Sequence, residues 1–185
     1  MERQSPRVSP SGGIKIRPAQ AGDFDELLAL FDAVAAERRW IGTEPGFDRT
    51  KYRAGWQAII DGKGGAHFVA CSQNKIVGTL SLYPTANGAH DLGMLVSRER
   101  RGRGVGTALL QAAFAWAREH DIPKLTLGVF PHNASAIGLY EKMGFVTVGR
   151  LERNRVRQTG DVWDVIVMEK DITHFRETSA PPMSK

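Results

Sequence analysis

The chain of 185 residues carries one cysteine, Cys71. A single thiol excludes an internal disulfide and argues against a Cys-rich zinc site. No apolar run approaches the ~20 residues that cross a bilayer as a helix, so no membrane partner is expected. The opening stretch MERQSPRVSPSGG lacks the apolar core of a secretory signal, which makes the cytoplasm the expected compartment. His67, His120, His132 and His174 stand at no metal-ligand spacing, so no metal is expected. What remains is the composition of a globular protein. Apolar residues make up 42% and charged residues 24%, and the length is enough to bury a core unaided.

The net charge of +5 is local rather than general. Arg98, Arg100, Arg101 and Arg103 oppose only Glu99, and Arg150, Arg153, Arg155 and Arg157 oppose only Glu152. Each stretch nets +3, so the rest of the chain nets −1. Basic patches of this kind raise the question of which anion they face. Neither is interleaved with aromatic residues, so nucleic acid is not the expected partner. The second patch reads as a solvated hairpin surface, or as a border to an acidic substrate or a partner subunit.

Residues 1–13 are rich in Ser, Pro and Gly and read as a disordered tail, and 173–185 read as a flexible one. Between them, 14–172 form one uninterrupted block. Ile14–Arg17 alternates and stops at Pro18, as a first strand does. Phe24, Leu27, Leu28, Phe31 and Val34 recur at helical spacing, as do Tyr52, Trp56, Ile59 and Ile60 further on. The stretch from Trp40 to Arg49, with Gly42, Pro45 and Gly46, is the loop between these helices. Three strands follow, over Ala66–Cys71, Lys75–Tyr83 and His90–Ser97; a hairpin turn at Ser72-Gln73-Asn74 joins the first two. Val105, Leu109, Ala112, Ala113 and Trp116 make the buried stripe of a helix opening near Gly104. Lys124–Val129 is a strand, Asn133–Met143 a helix with Gly144 as its C-cap, and Phe145–Val148 and Val162–Glu169 complete a sheet. The order β-α-α-β-β-β-α-β-α-β-β gives an α/β (α+β) fold: a single mixed sheet of about seven strands flanked by about four helices.

Arg101-Gly102-Arg103-Gly104-Val105-Gly106 follows a strand and opens an amphipathic helix. Glycines let backbone turn tightly and approach a ligand, and the free N–H groups of a helix start favour an anion such as a diphosphate. A Walker loop needs a terminal Gly-Lys-Ser/Thr, and no lysine is here. A dinucleotide fingerprint needs G-x-G-x-x-G, whereas the spacing here is G-x-G-x-G. Arg101-x-x-Gly104-x-Gly106 instead resembles the pyrophosphate loop, Q/R-x-x-G-x-G/A, of the GNAT superfamily of acyl-CoA-dependent N-acetyltransferases. A second segment resembles that family's next signature, N-x-x-A-x-x-x-Y-x-x-x-G-F. It runs from Asn133 through Ala136 and Tyr140 to Gly144-Phe145, in the expected order downstream. The resemblance is firmest over 91–145 and weakest over 23–65.

The resemblance implies a sheet splayed between its fourth and fifth strands, with acetyl-CoA as co-substrate in the gap. Met94, Leu95 and Val96 would contact acetyl group and pantetheine, with an N–H near Leu95 polarising the thioester carbonyl. Gly93 is consistent with a bulge or distortion there. Arg101, Gly102, Arg103, Gly104, Val105, Gly106 and Thr107 would hold the pyrophosphate. Asn133 reads as an N-cap and, by resemblance, as a contact to the pantetheine arm. Tyr140 at helical spacing reads as core; the resemblance makes it the general acid for the departing thiolate. The proton acceptor is open. His90, at the start of the fourth strand, reads as an exposed strand-end histidine or as the base, and Glu44 in the first interhelical loop is another candidate. The glutamate that ribosomal-protein acetyltransferases of the family carry in the fifth strand is Gly128 here, which argues against copying their base or their substrate. A small-molecule amine (an amino acid, a polyamine or similar) is the expected acceptor. A catalytically silent acyl-CoA sensor and a protein N-acetyltransferase are the alternatives. Homodimers are the common expectation for such domains.

Overall fold

The computed structural model describes residues 13–172. The two expected tails lie outside it, apart from Gly13, an exposed residue at φ +71°. The elements run β1 (Ile14–Pro18), α1 (Phe24–Ala36), α2 (Arg49–Ile60), β2 (Ala66–Ser72), β3 (Lys75–Pro84), β4 (His90–Val96), α3 (Val105–Glu119), β5 (Lys124–Val129), α4 (Ala134–Lys142), β6 (Val146–Val156) and β7 (Val162–Asp171). All strands join one seven-stranded sheet in the order β1-β2-β3-β4-β5-β7-β6. Only β4 and β5 pair in parallel; every other neighbour is antiparallel. This is the expected mixed sheet with four helices, open at its fourth and fifth strands.

Local chemistry sets the ends of these elements. Gln73 and Asn74, both at positive φ, form the two-residue turn between β2 and β3, where the right-handed twist of a hairpin favours that geometry. Asp48 caps α2 by accepting the amides of Thr50 and Lys51 at 2.9 and 3.1 Å. Two apolar clusters then fix the layers. One, on the α3 and α4 face, gathers Leu80, Leu82, Leu109, Leu110, Leu125 and Met168, all fully buried. The other, on the α1 and α2 face, gathers Leu27, Leu28, Val34, Trp56, Val69 and Leu95. Among the described residues no helix is long and apolar enough to cross a membrane.

One part of the expected outline is corrected. The sixth strand does not stop at Val148; it runs to Val156, so Arg150, Arg153 and Arg155 are exposed residues of the β6–β7 hairpin, as a solvated hairpin surface requires. Its register shifts at Thr147/Gly149 and again between Leu151 and Arg155, where Arg153 takes φ +48°. Two bulges, and exposure of both faces of the strand, remove the apolar-polar alternation by which a strand is recognised. Arg157, at the end of that stretch, is buried.

Candidate active site

The parallel seam is short. His90 pairs with Leu125 and Asp91 with Thr126, and there it ends. Beyond that rung β5 pairs only with β7, through Leu127, Gly128 and Val129. β4 keeps its ladder to β3 through Val96 with no register shift, so Gly93 makes no bulge in that ladder. The Ser97 amide donates to the Val77 carbonyl across this ladder at 2.8 Å. Backbone alternation therefore directs the groups of Leu95 and Gly93 toward β3, and those of Met94 and Val96 toward the gap. The Val96 carbonyl indeed accepts from Arg101 Nε at 3.1 Å, on the side away from β3. The edge that the splay exposes is thus Met94 and Val96, while the Leu95 side chain is buried beneath α1.

The gap opens onto the glycine turn. Gly102 and Gly104 both sit in the left-handed region, at φ +68° and +81°, where only glycine is unstrained. Nothing lies within 4 Å of where a side chain would begin at either position. Gly104 is the N-cap of α3, and no side chain caps the helix. Its first amide with an intrahelical partner is that of Ala108, which donates to the Gly104 carbonyl at 3.0 Å. The amides of Val105, Gly106 and Thr107 are left for a ligand, at the positive end of a fifteen-residue helix. Gly106 does different work. A Cβ there would stand 2.8 Å from Leu139 Cδ2, so its absence lets α3 start close against α4. Arg103 is exposed beside the turn, whereas the Arg101 guanidinium is committed: both terminal nitrogens donate to Glu37, at 2.8 and 2.6 Å. Trp40 Nε1 donates to the same carboxylate at 2.7 Å.

Tyr140 is carried by α4, and its position follows from how that helix ends. Gly144, at φ +85°, lets its own amide donate to Glu141 at 2.9 Å and the Phe145 amide donate to Tyr140 at 3.0 Å. This paired closure brings the residue after the glycine onto the last helical turn. Phe145 accordingly packs edge-on against the Tyr140 ring, 5.6 Å between centroids. The Tyr-x-x-x-Gly-Phe spacing is therefore a device for fixing the tyrosine. The ring is buried in the larger cluster, and burial pushes its pKa up, so the phenol keeps its proton throughout the neutral range. Asn133 caps the same helix, its Oδ1 accepting the Ala136 amide at 3.3 Å.

The two candidate bases are placed differently. His90 faces α3, buried and edge-on to Trp116 at 5.6 Å, with Nδ1 lacking a partner among the described residues. Burial lowers its pKa, so the ring is neutral at pH 7. It is not the exposed strand-end residue that sequence allowed. Glu44 is ion-paired with Arg157 at 2.7 Å. Asp91, which sequence reasoning passed over, projects from the opposite face to His90 on the last paired rung. It is exposed at that face, and Thr126 Oγ1 donates to its Oδ1 at 3.2 Å. Desolvation of the carboxyl pushes its pKa above the usual aspartate value, ahead of the opposing effect of the Thr126 bond. Two residues further along each strand, past the last paired rung, stand Gly93 and Gly128, both exposed and neither carrying a side chain. Strand alternation was the signal that could have separated Asp91 from His90, but it does not say which face is covered. No group of three or more His, Cys, Asp or Glu among the described residues is arranged to hold a metal.

A strand edge freed by a splay and leading to an uncapped helix start is suited to a long, amide-bearing ligand with a phosphate end. That is the architecture of N-acetyltransferases, and the comparisons agree. Residues 28–145 match the acetyltransferase (GNAT) family, and the chain belongs to it. It is similar to the peptidyl-lysine N-acetyltransferase YjaB of Salmonella typhimurium, 28% identical over 142 residues, 75% of this chain and 88% of that protein. It is also similar to the L-amino acid N-acetyltransferase AaaT of Escherichia coli, 30% identical over 124 residues, covering 62% and 74%. Among solved structures, yncA of Salmonella typhimurium with acetyl-CoA superposes with a TM-score of 0.78 over 94% of this chain and all of that one, at 19% identity.

Proposed function

We propose that this protein transfers an acetyl group from acetyl-CoA to the primary amine of a small molecule, by direct attack of the amine. The observation that carries the reading is the end of the β4–β5 seam at Asp91 and Thr126, where the gap begins that runs up to the free amides of α3. The cradle fits the co-substrate. The amides of Val105, Gly106 and Thr107 would hold its diphosphate, and the open edge at Met94 and Val96 would pair with its pantetheine amides. When bound, acetyl-CoA supplies an acyl group already activated as a thioester.

The remaining work belongs to side chains at the vertex. Asp91 takes a proton from the incoming ammonium, which must be lost before nitrogen can attack. A free N–H of the β4 edge, from Met94 or Val96 rather than Leu95, polarises the carbonyl. As the new N–C bond forms and the C–S bond breaks, Tyr140 gives its proton to the departing sulfur, and the phenolate recovers one from the acylated nitrogen, which leaves a neutral amide and a free thiol. Burial keeps the phenol in its protonated form, the form that can donate, although a pKa raised above the ~8.5 of a thiol opposes the transfer rather than favouring it. Asp91 replaces His90 and Glu44 in this scheme because it alone of the three is exposed at the open face without an ionic partner.

The relatives are named for two kinds of acceptor, free amino acids and peptidyl lysine. The deciding experiment therefore offers amino acids, polyamines and a lysine peptide with acetyl-CoA and follows release of the CoA thiol. Release dependent on a free amine supports transfer. Tight acetyl-CoA binding with no release from any amine overturns it in favour of a sensor.

A further inference from the structure

The loop between α1 and α2 is tied down on both banks of the open seam. On the β4 bank, Arg101 holds Glu37 through two hydrogen bonds. On the far bank, His132 Nε2 meets the Arg39 carbonyl oxygen at 2.8 Å, just past the end of β5. The strongest tie lies beyond it, at the turn between β6 and β7. Arg157 Nε is ion-paired with Glu44 Oε1 at 2.7 Å, and Nη1 donates to the Ile41 carbonyl at 2.9 Å. Its neighbour Gln158 donates its amide to Glu44 and its side-chain nitrogen to the Pro45 carbonyl. The loop is thus a strap across the wide end of the gap. At the start of the loop, Glu37, Arg38 and Arg39 line, with His132 and Trp163 from across the gap, an open depression of about 390 Å³.

Arg157 is an expensive way to build this tie. Its side chain is only 2% exposed, its guanidinium sits 4.4 Å over the Trp163 ring, and Nη2 is buried with no partner among the described residues. An apolar residue of similar volume would fill the space without desolvating a charge. What an arginine adds is a rigid fork that reaches two points of the strap at once, a carboxylate and a main-chain carbonyl. Lysine offers a single point charge and cannot reproduce that.

We infer that Arg157 is a positioning residue for the acceptor: it fixes the strap whose first residues line the open depression, and so sets the affinity for the amine without touching the cofactor's site. The inference rests on the acetyl-transfer reading above. It assigns to the last arginine of the basic stretch, just past β6, a role that no motif marks.

The test compares Arg157→Met, Arg157→Lys and Glu44→Gln with wild type. Hydrogen exchange should speed up about tenfold or more at the amides of 40–47 in Arg157→Met, with α3 amides unchanged. The KM for the best amine should rise at least about fivefold, with kcat and the acetyl-CoA Kd within about twofold. Arg157→Lys should not restore wild-type KM. Glu44→Gln, a change at the loop end of the tie that leaves the buried position intact, should shift exchange and KM the same way by a smaller factor, which keeps the test open if the Met variant does not fold. Strap exchange equal to wild type overturns the inference. So does a loosened strap with unchanged amine KM, or an acetyl-CoA Kd that worsens in step with the amine KM. If wild type turns over no amine, the transfer reading falls and this inference with it; turnover with an unmoved KM in the variants sinks the inference alone.

Discussion

The two halves of the sheet are built to different ends. β2 and β3 are buried along nearly their whole length, between α1 and α2 on one face and α3 on the other. β6 is exposed at every residue, and β4 and β5 show Asp91, Gly93 and Gly128 to solvent on the α1 and α2 face. The covered half supplies the apolar burial that holds the fold, at roughly 25 cal/mol per Å². The open half gives up that stabilisation, and the boundary between the two is where the seam splits. The proposed chemistry sits at the edge of the rigid half, where positions are fixed on one side and accessible on the other.

That contrast can be probed from either side. In the covered half, His67 is buried against Trp56, with Nε2 on Thr79 at 2.7 Å, and burial pulls its pKa from 6.5 down to about 4. The unfolded chain binds this proton already near pH 6.5 and the folded one only near 4. Stability should therefore be full above 6.5 and fall by roughly 3 kcal/mol as the pH drops to 4. Denaturant melts of His67→Gln should lack this part of the acid limb; an unaltered limb would remove His67 as its cause. At the boundary, Asp91→Asn should lower kcat/KM for the amine by about 100-fold while sparing acetyl-CoA affinity. His90→Gln, on the covered face of the same strand, should alter stability and leave kcat within about twofold. Reversed kinetics for this pair would mean the open face is not the acceptor side. At the turn, Gly104→Val should weaken acetyl-CoA binding about tenfold by calorimetry, with a stability cost of about 1–3 kcal/mol from the positive φ. Nothing in the protein lies within 4 Å of that position, so any blockage is felt by the ligand. Undiminished affinity would empty the turn of its diphosphate.

The same divide separates what the sequence shows from what it conceals. The element order, the helix caps at Asn133 and Gly144, and the glycine turn at 101–106 are written in short contiguous stretches, because turns, caps and helix starts depend on near neighbours. Tyr140 and Phe145 are legible for the same reason, their spacing being that of a helix end. The proposed acceptor side is assembled otherwise. Glu44 meets Arg157, and Arg39 meets His132, across more than ninety residues of chain. No local pattern announces such pairs, so Glu44 reads as a free carboxylate and Arg157 as a solvated charge. His90 and Asp91 are adjacent in sequence and opposite in environment, which only the packing of α3 against one face decides.

The central claim is that the splayed seam delivers an acyl thioester to Tyr140. Tyr140→Phe keeps the ring and its packing on Phe145 and removes only the proton. Measured side by side, kcat should fall by about 100-fold with the acetyl-CoA Kd within about twofold of wild type. Wild-type turnover in that variant would contradict the account.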